Sequence, residues 1–82
     1  MLKVSVISPE AVLFEGEIDS VVAPAYDGEI GILTGHAPLM ALLGDGELRL
    51  GSAGGQRFKV SGGFMQVFNN DVRVVTEKAT AV

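Results

Sequence analysis

Gly44-Asp45-Gly46-Glu47-Leu48-Arg49-Leu50-Gly51 decides the fold class of this chain. Turn-forming residues stand at both ends, and between them Leu48 and Leu50 alternate with Glu47 and Arg49. Successive side chains on a strand point to opposite faces, so such a segment has one oily side and one wet side. Gly44-Asp45-Gly46 is expected to form a hairpin turn, as is Asn69-Asn70-Asp71, because Gly, Asn and Asp tolerate positive φ at low cost.

The same period recurs on both sides of this stretch. Leu2, Val4 and Val6 alternate with Lys3 and Ser5; Phe58 and Val60 with Arg57 and Lys59; Val72, Val74 and Thr76 with Asp71 and Arg73. Eleven glycines, about twice the usual share, cluster near residues 16, 28–35, 44–46, 51–55 and 62–63. Turn signals thus return roughly every eight to twelve residues, the spacing of a small sandwich or barrel. Pro9, Pro24 and Pro38 cannot donate to a ladder, so they mark strand starts or edges. The expected fold is all-β: one domain, 1–82, built as a small two-sheet antiparallel β-sandwich of about 8–10 short strands. Strands are expected at about 2–8, 11–16, 18–24, 29–33, 39–43, 47–51, 56–61, 63–68 and 72–77. The closing Ala79-Thr80-Ala81-Val82 reads as the start of a further element.

Charge and composition narrow the function. Six basic residues face ten acidic ones, net −4, and the bases are scattered along the chain. Nucleic-acid binding needs a concentrated basic surface to displace counterions, so no nucleic-acid partner is expected. Glu10, Glu15, Glu17 and Asp19 read as a solvated edge that resists sheet-to-sheet aggregation. There is no cysteine, hence no disulfide and no thiol chemistry. No apolar stretch approaches the roughly 18 residues that cross a bilayer, and the alternating N-terminus lacks a signal-peptide core. A soluble, cytoplasmic chain is expected, with no direct membrane insertion; membrane association would come through a partner. Against this, 48% of the residues are hydrophobic and the mean hydropathy is +0.39. A domain this short buries only about 60–65% of its unfolded surface. The excess lies at an interface, or is the ordinary apolar share of any protein surface.

The unbroken apolar run Ala37–Leu43 favours the interface. On a strand, Leu39, Ala41 and Leu43 point one way and Met40 and Leu42 the other. One set enters the core; the other faces outward unless loops fold over it. Met is common at adaptable binding surfaces. Burying three such side chains yields roughly 5–9 kcal/mol gross, while association costs about 4–15 kcal/mol in lost freedom. A second contact is therefore needed, and the glycine-rich segment Asp27–Gly31, expected as a tight loop carrying Glu29, is the candidate.

Catalytic and cofactor motifs are not found. One histidine and no cysteine make a zinc site improbable, and no lysine follows a glycine as a phosphate-cradling loop requires. Gly-x-Ser-x-Gly is absent too, so no catalytic, cofactor or metal residues are expected. His36, beside a proline in a glycine loop, reads as a loop anchor; a small enzyme using it is a third-ranked alternative. A carrier domain of lipoyl or biotinyl type is the second. It needs a lysine at an exposed hairpin tip, whereas Lys59 sits mid-strand and Lys78 follows Glu77. Ser61-Gly62-Gly63 reads as a turn between strands.

Asp27-Gly28-Glu29-Ile30-Gly31-Ile32-Leu33-Thr34-Gly35-His36-Ala37-Pro38-Leu39 resembles the signature loop of the epsilon subunit of F-type ATP synthases, called delta in mitochondria. Val4 to Ser8 with Leu13-Phe14-Glu15-Gly16 resembles that family's first hairpin, and Ser61-Gly62-Gly63-Phe64 with Val67 its Ser-Gly-Gly-hydrophobic strand. The resemblance runs over essentially all 82 residues. It implies a flattened β-sandwich at the foot of the central stalk, bound to the gamma subunit and to the membrane c-ring. Such a subunit rotates with both and couples proton flow to ATP synthesis without doing chemistry itself. It further implies a peripheral location on the cytoplasmic face of the bacterial inner membrane. By the same resemblance Glu29 faces the c-ring, His36 and Ala41 lie on the gamma-facing side, and Ser8 lies near that face. Met40 and Leu42 join them as partner-binding candidates from the apolar run. Most members continue into two helices that inhibit ATP hydrolysis. That helical hairpin is not in this sequence, so helix-based inhibition and ATP binding are not expected of it.

Overall fold

A computed structural model describes residues 1–51 and 55–82 of the chain. The glycine turn read at 51–55 therefore lies partly outside the described residues. Ten strands and no helix are found among the described residues. They are β1 (Leu2–Ile7), β2 (Val12–Ile18), β3 (Ser20–Ala25), β4 (Gly28–Leu33), β5 (Leu39–Leu42), β6 (Gly46–Leu50), β7 (Arg57–Ser61), β8 (Phe64–Phe68), β9 (Asp71–Val75) and β10 (Lys78–Ala81). One sheet has the order β2-β1-β9-β8-β5 and the other β10-β7-β6-β3-β4. This is the two-sheet sandwich that alternation and turn spacing foretell.

The core follows from the alternation. Leu2, Val4, Val6, Met65, Val67, Val72 and Val74 enter it from the first sheet. Val21, Ala23, Ile32, Leu48, Leu50, Phe58 and Val60 enter from the second. Full burial of one such large side chain contributes about 1.5–3 kcal/mol. Asn69 and Asn70, at φ 52° and 63°, form the two-residue turn between β8 and β9 that the sequence announces.

Four features differ from the sequence reading. β1 pairs β9 in parallel, the one departure from antiparallel ladders among the described strands; β1 lies second in its sheet, between β2 and the central β9. Gly44-Asp45-Gly46 is no hairpin turn: β5 and β6 belong to different sheets, and the segment crosses between them. Its glycines answer crowding instead. A Cβ at Gly46 would stand 2.8 Å from Pro24 Cβ, and one at Gly44 3.2 Å from the Ala25 carbonyl oxygen. Asp27–Gly31 is mostly strand; the turn is Tyr26-Asp27, and β4 starts at Gly28. Finally, residues Lys78–Ala81 form an edge strand of the second sheet, paired with β7. Thr76 anchors it: its buried hydroxyl lies 3.0 Å from the carbonyl oxygens of both Gly62 and Lys78.

Candidate functional site

β5 is the edge of the first sheet and pairs there with β8, Met40 opposite Gln66 and Leu42 opposite Phe64. A corner between the sheets fixes which way its side chains point. Leu43 bridges to Ala25, and its N–H donates to the Gly63 carbonyl at 2.9 Å. Tyr26 N–H donates to the Leu42 carbonyl at 2.9 Å and Gly44 N–H to that of Pro24 at 2.8 Å. With Leu43 held in the core, alternation turns Leu39 and Ala41 inward and Met40 and Leu42 outward. Met40 is 62% exposed and Leu42 67%, so the chain's own atoms leave this side open.

A groove of about 610 Å³ opens between β5 and β4, the facing edges of the two sheets. Met40, Ala41 and Leu42 form one wall; Tyr26, Asp27, Gly28 and Glu29 contribute to the other. Glu29, read in the sequence as a charge offered to a partner, is already paired within the chain. Arg49 Nη2 donates to both its carboxylate oxygens, at 3.2 and 3.1 Å. Both side chains are well exposed, so this pair contributes at most about 1 kcal/mol and a partner can compete for it. Tyr26, 82% exposed, was missed by the sequence reading. Its signal was an aromatic residue directly before the Asp27-Gly28 pair, since Tyr combines apolar area with a polar tip at interfaces.

The other candidates stand apart from the groove. His36 lies in the connection from β4 to β5, half-buried, its N–H donating to the Leu33 carbonyl at 3.0 Å. Its Nδ1 is 2.7 Å from the Ala37 carbonyl oxygen. A carbonyl only accepts, so Nδ1 is the donor in this contact. Neighbouring Gly35 N–H donates to Asn70 Oδ1 at 2.7 Å, tying the connection to the β8–β9 turn. Ser8 sits in the β1–β2 turn, at the opposite edge of the first sheet from β5. Its hydroxyl is 3.3 Å from both the Ala11 N–H and the Ala11 carbonyl, closing its own turn. Lys59 stands in the middle of β7 and Lys78 at the start of β10, neither at the tip of a hairpin. Among the described residues no three His, Asp or Glu side chains gather as a metal set. No helix among them is long and apolar enough to cross a membrane.

Comparison with known proteins agrees with this architecture. A family model described as ATP synthase, Delta/Epsilon chain, beta-sandwich domain matches residues 1–82. The ATP synthase epsilon chain of Desulforamulus reducens is 49% identical over 79 residues, covering 94% of this chain and 59% of its own. That of Leptospira interrogans is 46% identical over 79 residues, covering 93% of this chain and 61% of its own. This chain therefore spans about three-fifths of the length of these relatives. A chain in the Euglena gracilis mitochondrial ATP synthase structure (OSCP/F1/c-ring) superposes with a TM-score of 0.88 at 24% identity, over 98% of this chain and 52% of that one. At that identity the superposition speaks for the fold.

Proposed function

The chain belongs to the ATP synthase delta/epsilon β-sandwich family, and on that premise we propose that it is a non-catalytic rotor subunit of the central stalk. In this reading it binds the gamma subunit and the c-ring, and couples proton translocation to ATP synthesis at the cytoplasmic face of the membrane. The observation that carries it is the open outer side of β5: Met40 and Leu42, both well exposed, beside a groove rimmed by Asp27 and Glu29. Solvent-facing Met and Leu on a sheet edge invite association, and proteins with no partner for such an edge blunt it with charge or cover it. Gamma would take the apolar outer side of β5 together with His36, Ala41 lying beneath that contact in the same strand, while Glu29 at the start of β4 would meet polar loops of the c-ring. Ser8, across the sheet, would lie at the far margin of the gamma contact.

The Glu29–Arg49 pair allows a test that separates folding from coupling. Glu29→Lys is expected to lower proton-driven synthesis in reconstituted vesicles while assembly and melting stay near normal. The exchange Glu29→Arg with Arg49→Glu restores the pair but not the charge at position 29. If the exchange recovers full synthesis, the pair matters only within this chain, and the c-ring role of Glu29 is wrong.

A further inference from the structure

Asn69 and Asn70 fill the two central places of the β8–β9 turn, both at positive φ. Glycine is the common choice at the second place, since it takes positive φ without steric cost. Asn70 gives up that ease and brings a side chain. Its Oδ1 accepts from the Gly35 N–H at 2.7 Å, across 35 residues of sequence. Its backbone carbonyl accepts from the Lys3 N–H at 2.8 Å, which pins the turn to β1. The amide is thus held out from a fixed base. The receiving end is the connection from β4 to β5, residues 34–38, which crosses from one sheet to the other. It opens with a turn over Leu33-Thr34-Gly35-His36, closed by the His36 N–H donating to the Leu33 carbonyl at 3.0 Å. Gly35, third in that turn, has φ 87°, which makes the turn type II. Types I and II share the closing bond and differ in which way the middle peptide faces. The N–H of that middle peptide belongs to Gly35, and Asn70 is what it meets. Thr34, Gly35, Ala37 and Pro38 are exposed; His36 alone is half-buried. Among the described residues, the Gly35–Asn70 bond is the one hydrogen bond that ties this connection to anything beyond β4 and β5.

We infer that Asn70 is a positioning residue: it locks the type II turn and so presents the His36 imidazole to gamma. The inference deepens the stalk reading and rests on it for the identity of the docked subunit. His36 Nδ1 is engaged with the Ala37 carbonyl at 2.7 Å, so Nε2 is the ring nitrogen open to a partner. A flip of the middle peptide to type I would break the Gly35–Asn70 bond and re-aim the chain at His36, while leaving the closing bond of the turn intact. Glycine at position 35 permits either form, so the choice is made by what the N–H meets. With the bond in place, the connection is ordered before docking. Without it, an exposed segment must be ordered as gamma binds, and that entropy lowers the affinity. The Asn70 side chain thereby acts on the contact through His36, without itself touching the partner.

A double-variant cycle tests this, with the whole subunit competing against labelled wild type for ATP synthase stripped of it. Asn70→Gly keeps the backbone angle and removes the acceptor; Asn70→Asp keeps both. Loss of one neutral hydrogen bond is small beside the stability of a folded domain, so both variants keep their fold. Asn70→Gly is expected to weaken rebinding about three- to tenfold, the worth of one such bond. In a His36→Ala background the same change is expected to weaken it less than about twofold, because no imidazole is left to position. Asn70→Asp is expected to bind within about twofold of wild type. A purely structural Asn70 would lose the same factor in both backgrounds, and that result overturns the inference. So does an Asn70→Asp subunit that binds as poorly as Asn70→Gly, or a His36→Ala subunit that binds as well as wild type. These outcomes leave the stalk reading intact, because the wild-type subunit still rebinds. Failure of the wild-type subunit to rebind the stripped complex would overturn the stalk reading itself.

Discussion

Gly63 has φ 109°, and a Cβ there would collide with the Val75 carbonyl oxygen and stand 2.7 Å from Thr76 Cα. Both obstacles are backbone, so nothing nearby can give way. Gly63→Ala is expected to destabilise the domain by about 2–4 kcal/mol, read by urea denaturation. Asn70 combines two roles that substitution can part. Asn70→Gly keeps the positive φ and loses the bond from Gly35, at a cost of about 1 kcal/mol. Asn70→Ala loses both, and about 1 kcal/mol more. At this scale the sequence showed which residues turn and not why. The glycines at 62 and 63 were legible as a turn, but the backbone at Val75 and Thr76 that excludes a Cβ at Gly63 lies more than ten residues away. The Glu29–Arg49 pair, 20 residues apart, was invisible for the same reason: it depends on β4, β3 and β6 lying side by side.

Within strands, period two predicted the elements well because side-chain direction is local. It could not say which side of β5 faces out, since that depends on the corner where Leu43 meets Ala25 and Gly63. The consequence is a parity test. Met40→Asp and Leu42→Asp, on the open side, are expected to change stability by no more than about 0.5 kcal/mol each. Leu39→Asp, one residue away but packed on the core, is expected to cost several times that, on the order of 2–4 kcal/mol. Equal effects at Leu39 and Met40 would mean the strand is turned the other way. β10 was missed because Lys78-Ala79-Thr80-Ala81 has weak alternation; only Ala79 packs on the core. Thr76 helps to hold it, so Thr76→Val is expected to cost about 1–2 kcal/mol by removing the one hydroxyl proton that the Gly62 and Lys78 carbonyls share.

Across the whole molecule, the sheets are assembled by connections that repeatedly pass from one to the other, as β4 to β5, β5 to β6 and β7 to β8 do. Order of this kind leaves little local trace: glycine pairs that ease a crossing read the same as hairpin turns, and the parallel β1–β9 ladder joins segments more than sixty residues apart. Refolding is expected on the millisecond-to-second scale of non-local β-topologies, checked by stopped-flow fluorescence of the single tyrosine, Tyr26. The candidate site was legible in part. The apolar run pointed to β5, and Glu29 does share its groove, whereas His36 and Ser8 stand elsewhere on the surface. What unites these levels is the claim that the open face of β5 is a docking surface for gamma. Titration calorimetry of isolated gamma against the wild-type chain and the Met40→Asp, Leu42→Asp double variant tests it most directly. With the variant shown to be folded, the account expects affinity to fall at least about 100-fold, the worth of two lost apolar contacts; an unchanged Kd would contradict it.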